Sequence, residues 1–234
     1  MTSAGMTSPA TAAVQAIRTG GTTTLAALLR DHPGLANAPI HGSRTALLVA
    51  ADWPGYYPNG PATVRLLIEA GADPNADTGG DLPETPLHWA ASSDDADVAA
   101  ALIDGGADLE RPGGSIGTPL DNAIGYGCWN VARLLAQRGA RVDKLWHAAA
   151  LGIMPRVEEL LAASPAPSAD DITEAFWQAC HGGQRRAAEY LLARGADLNG
   201  TPGYSDQTAA EAAAEPGTQR ENLITWLQGQ KPGQ

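Results

Sequence analysis

The sequence predicts an all-α fold, a solenoid of stacked helix–turn–helix units with hairpin fingers. Internal repetition carries that prediction. Segments open alike at Thr45-Ala-Leu-Leu-Val-Ala-Ala, Thr85-Pro-Leu-His-Trp-Ala-Ala and Thr118-Pro-Leu-Asp-Asn-Ala-Ile. They close alike at Gly71-Ala-Asp-Pro-Asn, Gly106-Ala-Asp-Leu-Glu, Gly139-Ala-Arg-Val-Asp and Gly195-Ala-Asp-Leu-Asn, the first three closings 35 and 33 residues apart. Between opening and closing lies an apolar run such as Val64-Arg-Leu-Leu-Ile or Val131-Ala-Arg-Leu-Leu.

Each part of the pattern has a physical reason. Thr85 is a natural N-cap, and Pro86 suits the first helical position, where its missing N–H costs nothing. Ala90 and Ala91 keep the inner helix slim, so neighbouring units approach closely. Gly106 supplies the left-handed residue that ends the outer helix. One such pair cannot bury its own apolar face, so the units must stack.

The two motifs, in register and repeated, resemble ankyrin repeats from about Thr11 to Leu227, in roughly seven units, some of them degenerate. The first runs from Thr11 through Leu28, Leu29 and Asp31-His-Pro-Gly-Leu-Ala-Asn. The second carries an insertion, Pro54-Gly-Tyr-Tyr-Pro-Asn-Gly-Pro, between its helices. The fifth, with Leu145-Trp-His-Ala-Ala-Ala, opens so soon after Thr118 that its finger is nearly missing. The sixth opens at Glu174-Ala-Phe-Trp-Gln-Ala-Cys, and the seventh, Thr208-Ala-Ala-Glu-Ala-Ala-Ala, caps the array. The expected organisation is a disordered start at residues 1–10, one array over 11–228 and a disordered tail at 229–234.

Composition narrows the function classes. The 234 residues are 44% hydrophobic and 18% charged, with a net charge of −11, which argues against nucleic acid or an anionic membrane as partner. Six Trp and five Tyr stand against one Phe, a bias toward side chains with a polar handle. Cys128 and Cys180 make no disulfide framework and no C-x-x-C metal spacing. The opening residues lack a signal-peptide pattern, and no long apolar run reads as a membrane span. The expectation is a reduced, cytoplasmic protein. Its Ala-, Gly- and Arg-rich style is similar to that of high-GC bacterial proteins.

Counting from the threonine-equivalent as place one, places three, six and seven read Leu87, Ala90, Ala91 and Leu120, Ala123, Ile124, which is core. Places five, eight and nine are expected to line the concave groove. They read Val49, Asp52, Trp53; Trp89, Ser92, Ser93; Asn122, Gly125, Tyr126; His147, Ala150, Leu151; and Gln178, His181, Gly182. Place four adds Asp121, Trp146 and Trp177 near the finger-side edge. Bland readings stand beside these. His88 belongs to the repeat signature and stabilises the fold, Cys180 fills a core alanine place, and Trp129 and Tyr190 pack on outer helices. Trp146 is core filler, and Trp53 packs under the insertion.

The resemblance implies non-catalytic recognition of a partner protein or peptide by the groove and fingers. Asp52, Trp53, Trp89, Asn122, Tyr126, Trp177 and Gln178 are the binding candidates, and a basic partner is the natural complement to the charge. The alternative is a small-molecule site or cofactor-independent enzyme of isomerase, dehydratase or cyclase type. There His147 or His181 acts as general acid/base, oriented by Asp121 or Glu174. No metal set and no phosphate-cradling loop is evident, so no cofactor is expected. A monomer or weak dimer fits, the Ala-rich last unit being the weaker end.

Overall fold

The computed structural model describes residues 8–215 and 220–230. The expected disordered segments therefore lie mostly outside the described residues. At the N-terminus, however, the first helix starts at Pro9, with Ser8 as its N-cap accepting from Thr11 N–H at 3.1 Å.

The chain divides into two compact units, the first ending at Ala140 and the second beginning at Arg141. In the first, helices pair as α1 (Pro9–Thr19) with α2 (Thr22–Asp31), and α3 (Ala46–Ala51) with α4 (Gly60–Glu69). Then come α5 (Pro86–Ser92) with α6 (Ala96–Asp104), and α7 (Pro119–Gly125) with α8 (Trp129–Gln137). The second holds α9 (Leu145–Leu151) with α10 (Met154–Leu161) and α11 (Ala169–His181) with α12 (Arg185–Leu192). It ends with α13 (Ala209–Ala213) and α14 (Glu221–Gln228). The described residues form no β-strand beyond two isolated bridges in the fingers, His41 to Arg44 and Gly113 to Gly117.

The core follows the periodicity. Leu87, Ala90, Ala91, Leu120, Ala123 and Ile124 are at most 1% exposed. Phe176, the chain's one phenylalanine, is fully buried in the core of the second unit with Val157, Cys180 and Leu191.

Helix starts are built as the repeat motif requires. Capping boxes close α5 (Thr85 with His88), α7 (Thr118 with Asp121), α11 (Ser168 with Asp171) and α13 (Thr208 with Glu211). Two asparagines that end such segments, Asn37 and Asn75, are ties between repeats. Asn37 donates to the Gly71 carbonyl at 2.7 Å and accepts from Asp73 N–H at 2.8 Å. Asn75 does the same one repeat later, with Gly106 at 3.1 Å and Asp108 at 2.8 Å.

The sixth repeat departs from expectation. Its inner helix begins at Ala169, not near Glu174, because Ser168-Ala-Asp-Asp171 caps it more than a turn earlier. At its other end, a Cβ on Gly182 would lie 2.1 Å from the Ala150 carbonyl oxygen. Glycine lets α11 close onto α9 there, so Gly182 is a packing position rather than a groove-lining one.

Candidate functional site

In the first unit, the candidate groove residues are linked by partners that the repeat pattern does not reveal. Arg44 reaches the Asp52 carboxylate at 2.7 Å and lies 4.8 Å from the centre of the Trp89 ring. Trp89 Nε1 donates to Glu84 Oε2 at 3.0 Å, and Asn122 Nδ2 contacts Glu84 Oε1 at 3.4 Å. Arg18 adds a looser approach to Asp52 at 3.9 Å. A ladder from Arg18 to Asn122 therefore crosses four repeats. Arg44 and Glu84 share one signal: each immediately precedes its repeat's opening threonine.

Burial corrects the place-five assignment. Val49, Asn122, His147 and Gln178 are at most 1% exposed, so they are not open groove positions. Inner helices of about two turns, slimmed by alanine, let adjacent backbones and loops cover that place. Large exposed side chains stand at place nine of two repeats instead: Trp53 is 76% exposed and Tyr126 59%. Trp53 is thus not packed under the insertion. The insertion lies across the next turn, where Tyr56 N–H donates to Asp95 Oδ2 at 2.6 Å and Tyr56 Oη to the Asp94 carbonyl at 2.5 Å. Asp94 in turn accepts from the backbone N–H groups of Asn130 and Val131, both at 2.9 Å. The loop bearing Trp53 is consequently tied to the repeats on either side of Asp94.

In the second unit, Glu174, Trp177, Gln178 and His181 fall on one face of α11. Trp177 Nε1 donates to the Gln207 carbonyl at 2.8 Å, and Gln178 Nε2 to the Tyr204 hydroxyl at 2.9 Å. His181 packs on Trp177 with ring centres 5.0 Å apart, and its Nε2 lies 3.4 Å from Glu215 Oε2. Glu215 is therefore the carboxylate beside His181. Glu174 stands two helical turns away, roughly 10 Å along the axis, and faces solvent-accessible clefts instead.

The other members of the proposed acid–base set also have local roles. Asp121 belongs to the first unit, where its carboxylate accepts from Thr118 N–H at 2.7 Å and from the Thr118 hydroxyl at 3.0 Å. It replaces the signature histidine as the capping-box acceptor. His147, 1% exposed, has the Trp146 ring edge-on at 4.1 Å and Asp143 Oδ1 3.9 Å from Nδ1. Trp146 itself is only partly buried against the core.

Two adjoining clefts open in the second unit. One of about 400 Å³ is floored by Leu145, Trp146 and Leu160 and edged by Asp143, Asp171 and Glu174. The other, about 570 Å³, shares Asp171 and Glu174 and adds Asp170, Asp197 and Tyr204. Of these residues the sequence pattern singles out only Trp146, as filler, and Glu174. The Ser168-to-Asp171 capping signature was the available clue to the rest.

Both cysteines are buried free thiols. Burial pushes Cys128 up to about 11 and Cys180 higher still, so both are protonated at neutral pH. The described residues contain no cluster of three or more metal-ligating side chains. No described helix is long and apolar enough to cross a membrane.

Burial lowers the pKa of His88 and of His181, against an opposing pull from the Gly117 carbonyl on the first and Glu215 on the second. Both imidazoles thus resist protonation in the folded chain. The unfolded chain takes up those protons near the ordinary histidine value of about 6.5. Their contribution is complete above that value and is lost as pH falls through it toward the folded values. Asp171 and Glu211 are held low by their capping hydrogen bonds, so their loss begins only in the carboxylate range, below about pH 4. The urea midpoint is expected to be lower at pH 5.5 than at pH 7.5. A flat profile over that interval would show that neither histidine is linked to folding.

Helix pairs with slim inner helices, capped openings and asparagine ties define a repeat protein built for stacking. The helix pairs have the ankyrin-repeat fold, and a family model described as ankyrin repeats, in three copies, matches residues 56–144. Among solved structures it is similar to the crystal structure of the ankyrin repeat domain of Bcl-3, a unique member of the IkappaB protein family. The identity is 23%, the match covers 93% of this chain and 98% of that one, and the TM-score is 0.55. At that identity the likeness is one of fold. No curated protein matches the chain. Ankyrin repeats are generally protein-interaction modules, consistent with a binding role.

Proposed function

We propose that this chain is a non-catalytic recognition module that binds a partner protein or peptide, with the reduced cytoplasm as its setting. The observation that carries this reading is the exposure of Trp53 and Tyr126 at the same place of two repeats. Between them Tyr56 fastens the insertion to Asp94 and Asp95, so the exposed aromatics stand on a pinned surface. Large side chains held rigid lose little entropy on binding, and Trp and Tyr dominate interface hot spots. The ladder from Arg18 to Asn122 then acts as a preorganised floor beside them.

The test compares partner recovery from an extract of the source cells by the full chain and by a Trp53→Ala/Tyr126→Ala variant. Losing one hot-spot anchor costs about 2 kcal/mol or more. Retention of the specific partner is therefore expected to fall at least 30-fold, with the melting temperature unchanged. Equal recovery by the two proteins would remove this surface from the reading.

A further inference from the structure

We propose that the paired clefts of the second unit are a docking site for an extended basic segment of a partner, one in which arginine or lysine and an aliphatic residue stand two places apart, on the same side. The inference deepens the recognition reading and rests on it. The smaller cleft offers an apolar floor of Leu145, Trp146 and Leu160 with Pro165 and Pro167 beside it. The larger is walled by Asp170, Asp197 and Tyr204, with Asp171 and Glu174 common to both.

These carboxylates converge from separate parts of the chain. Asp143 precedes α9, Asp170, Asp171 and Glu174 lie on α11, and Asp197 follows α12. Favourable placement at a helix N-terminus accounts for Asp170 and Asp171. It does not account for Glu174 farther along the helix, while Asp197 holds the place that Asp73 and Asp108 take in their own closing motifs. Asp171 uses Oδ2 to cap Ser168, and Asp197 uses Oδ1 to accept from Asn199 N–H. Among the described residues, no lysine or arginine of the chain pairs with Asp170, Asp171, Glu174 or Asp197. Among the described residues, the one cation lining either cleft is Lys144, whose ammonium lies 5.2 Å from the centre of the Trp146 ring. That contact shows the indole face accepting a cation.

The geometry suits the stated partner. Guanidinium groups pair bidentately with carboxylates and stack on indole faces. In an extended peptide, side chains two residues apart lie on the same side, roughly 7 Å apart. Residues of like orientation can therefore enter the two adjoining clefts. An aliphatic side chain two residues from a charged one lies on the same side and adds apolar contact over Leu145 and Leu160, which charge alone does not supply.

The probe is a fluorescein-labelled octapeptide with arginine and leucine taking turns at every second position and serine between them, titrated with the full chain by anisotropy at two salt concentrations. A glutamate–leucine peptide serves as control. Binding of the arginine peptide is expected, weakened by salt, while the glutamate peptide stays free. Asp170→Asn/Glu174→Gln should weaken it at least tenfold. Glu69→Gln/Asp97→Asn, an equal charge change on exposed residues elsewhere, should leave it within twofold. Trp146→Ala should also weaken it at least tenfold. Because Trp146 touches the core, Glu174→Arg tests the same cleft at a less buried position, with melting curves recorded for each variant.

Equal losses in the two double variants would reduce the effect to bulk charge and overturn the proposal. So would absence of peptide binding to the unaltered chain. Self-association abolished by Trp146→Ala, with no peptide binding, would assign the cleft to a second copy and likewise overturn it. Trp53→Ala/Tyr126→Ala should leave peptide affinity unchanged. Failure here with partner recovery intact therefore rejects the cleft, and not the recognition module.

Discussion

Replacing His88 with alanine is expected to destabilise the chain by about 3 kcal/mol, the sum of a lost cap and a buried unsatisfied donor. The ring is fully buried at the start of α5. Its Nδ1 accepts from Thr85 N–H at 3.1 Å and is 2.8 Å from the Thr85 hydroxyl, while Nε2 lies 3.1 Å from the Gly117 carbonyl of the next finger. With Nδ1 accepting, the hydrogen-bond pattern assigns the proton to Nε2, which donates to Gly117. One neutral imidazole thereby caps its own helix and ties its repeat to the next. The Gly117 carbonyl keeps Gly113 N–H at 2.7 Å, so the penalty falls mainly on Thr85. His88→Gln can restore the backward cap, since glutamine serves at that place of a capping box, and should recover about 1 kcal/mol. Urea unfolding of the two variants at neutral pH measures both effects. Equal midpoints for His88→Ala and the unaltered chain would show that the bridge contributes nothing.

Phe176→Ala is expected to cost more, about 3–5 kcal/mol. The ring is fully buried in a core whose other members include Ala148, Ala149, Ala179, Ala187 and Ala188, all at most 1% exposed. Alanines have no side-chain length with which to fill the vacated volume, so the cavity persists. A residual cavity adds roughly 24 cal/mol per Å³ to the transfer loss. Phe176→Leu keeps most of the volume and should cost only about 1 kcal/mol. Chemical denaturation of the pair gives the comparison. Near-equal losses would mean the aromatic ring, rather than filled volume, sets the stability of this core.

Much of this protein was legible in its sequence because the determinants are local. Thr85-Pro-Leu-His carries its own cap, helix start and bridge. Leu87, Ala90 and Ala91 share a face by helical geometry alone, and the structure buries all three. The structural role of His88 and the burial of Cys180 followed from their places in the motif. The longer α11 was also readable in principle, since Ser168 and Asp171 have capping-box spacing. The weaker likeness of that segment to a repeat opening masked it.

What only the tertiary structure decided depends on residues far apart in the chain. Places five and nine both belong to the turn of helix expected to face the groove. Yet Asn122 is covered and Tyr126 is bare, because covering depends on which backbone or loop comes to rest nearby. His181 found Glu215 rather than Glu174 because the chain after α13 brings that carboxylate to it. Arg44 and Glu84 joined Asp52 to Trp89 and Asn122 through side-chain reach across repeats, which no spacing within one repeat encodes. The larger acidic cleft likewise exists only once α11 and the loop after α12 lie together. The sequence alone determined the repeating scaffold, through periodicity and caps that act within a few residues. Folding determined its faces, because exposure and charge pairing are sums over neighbours that only packing supplies.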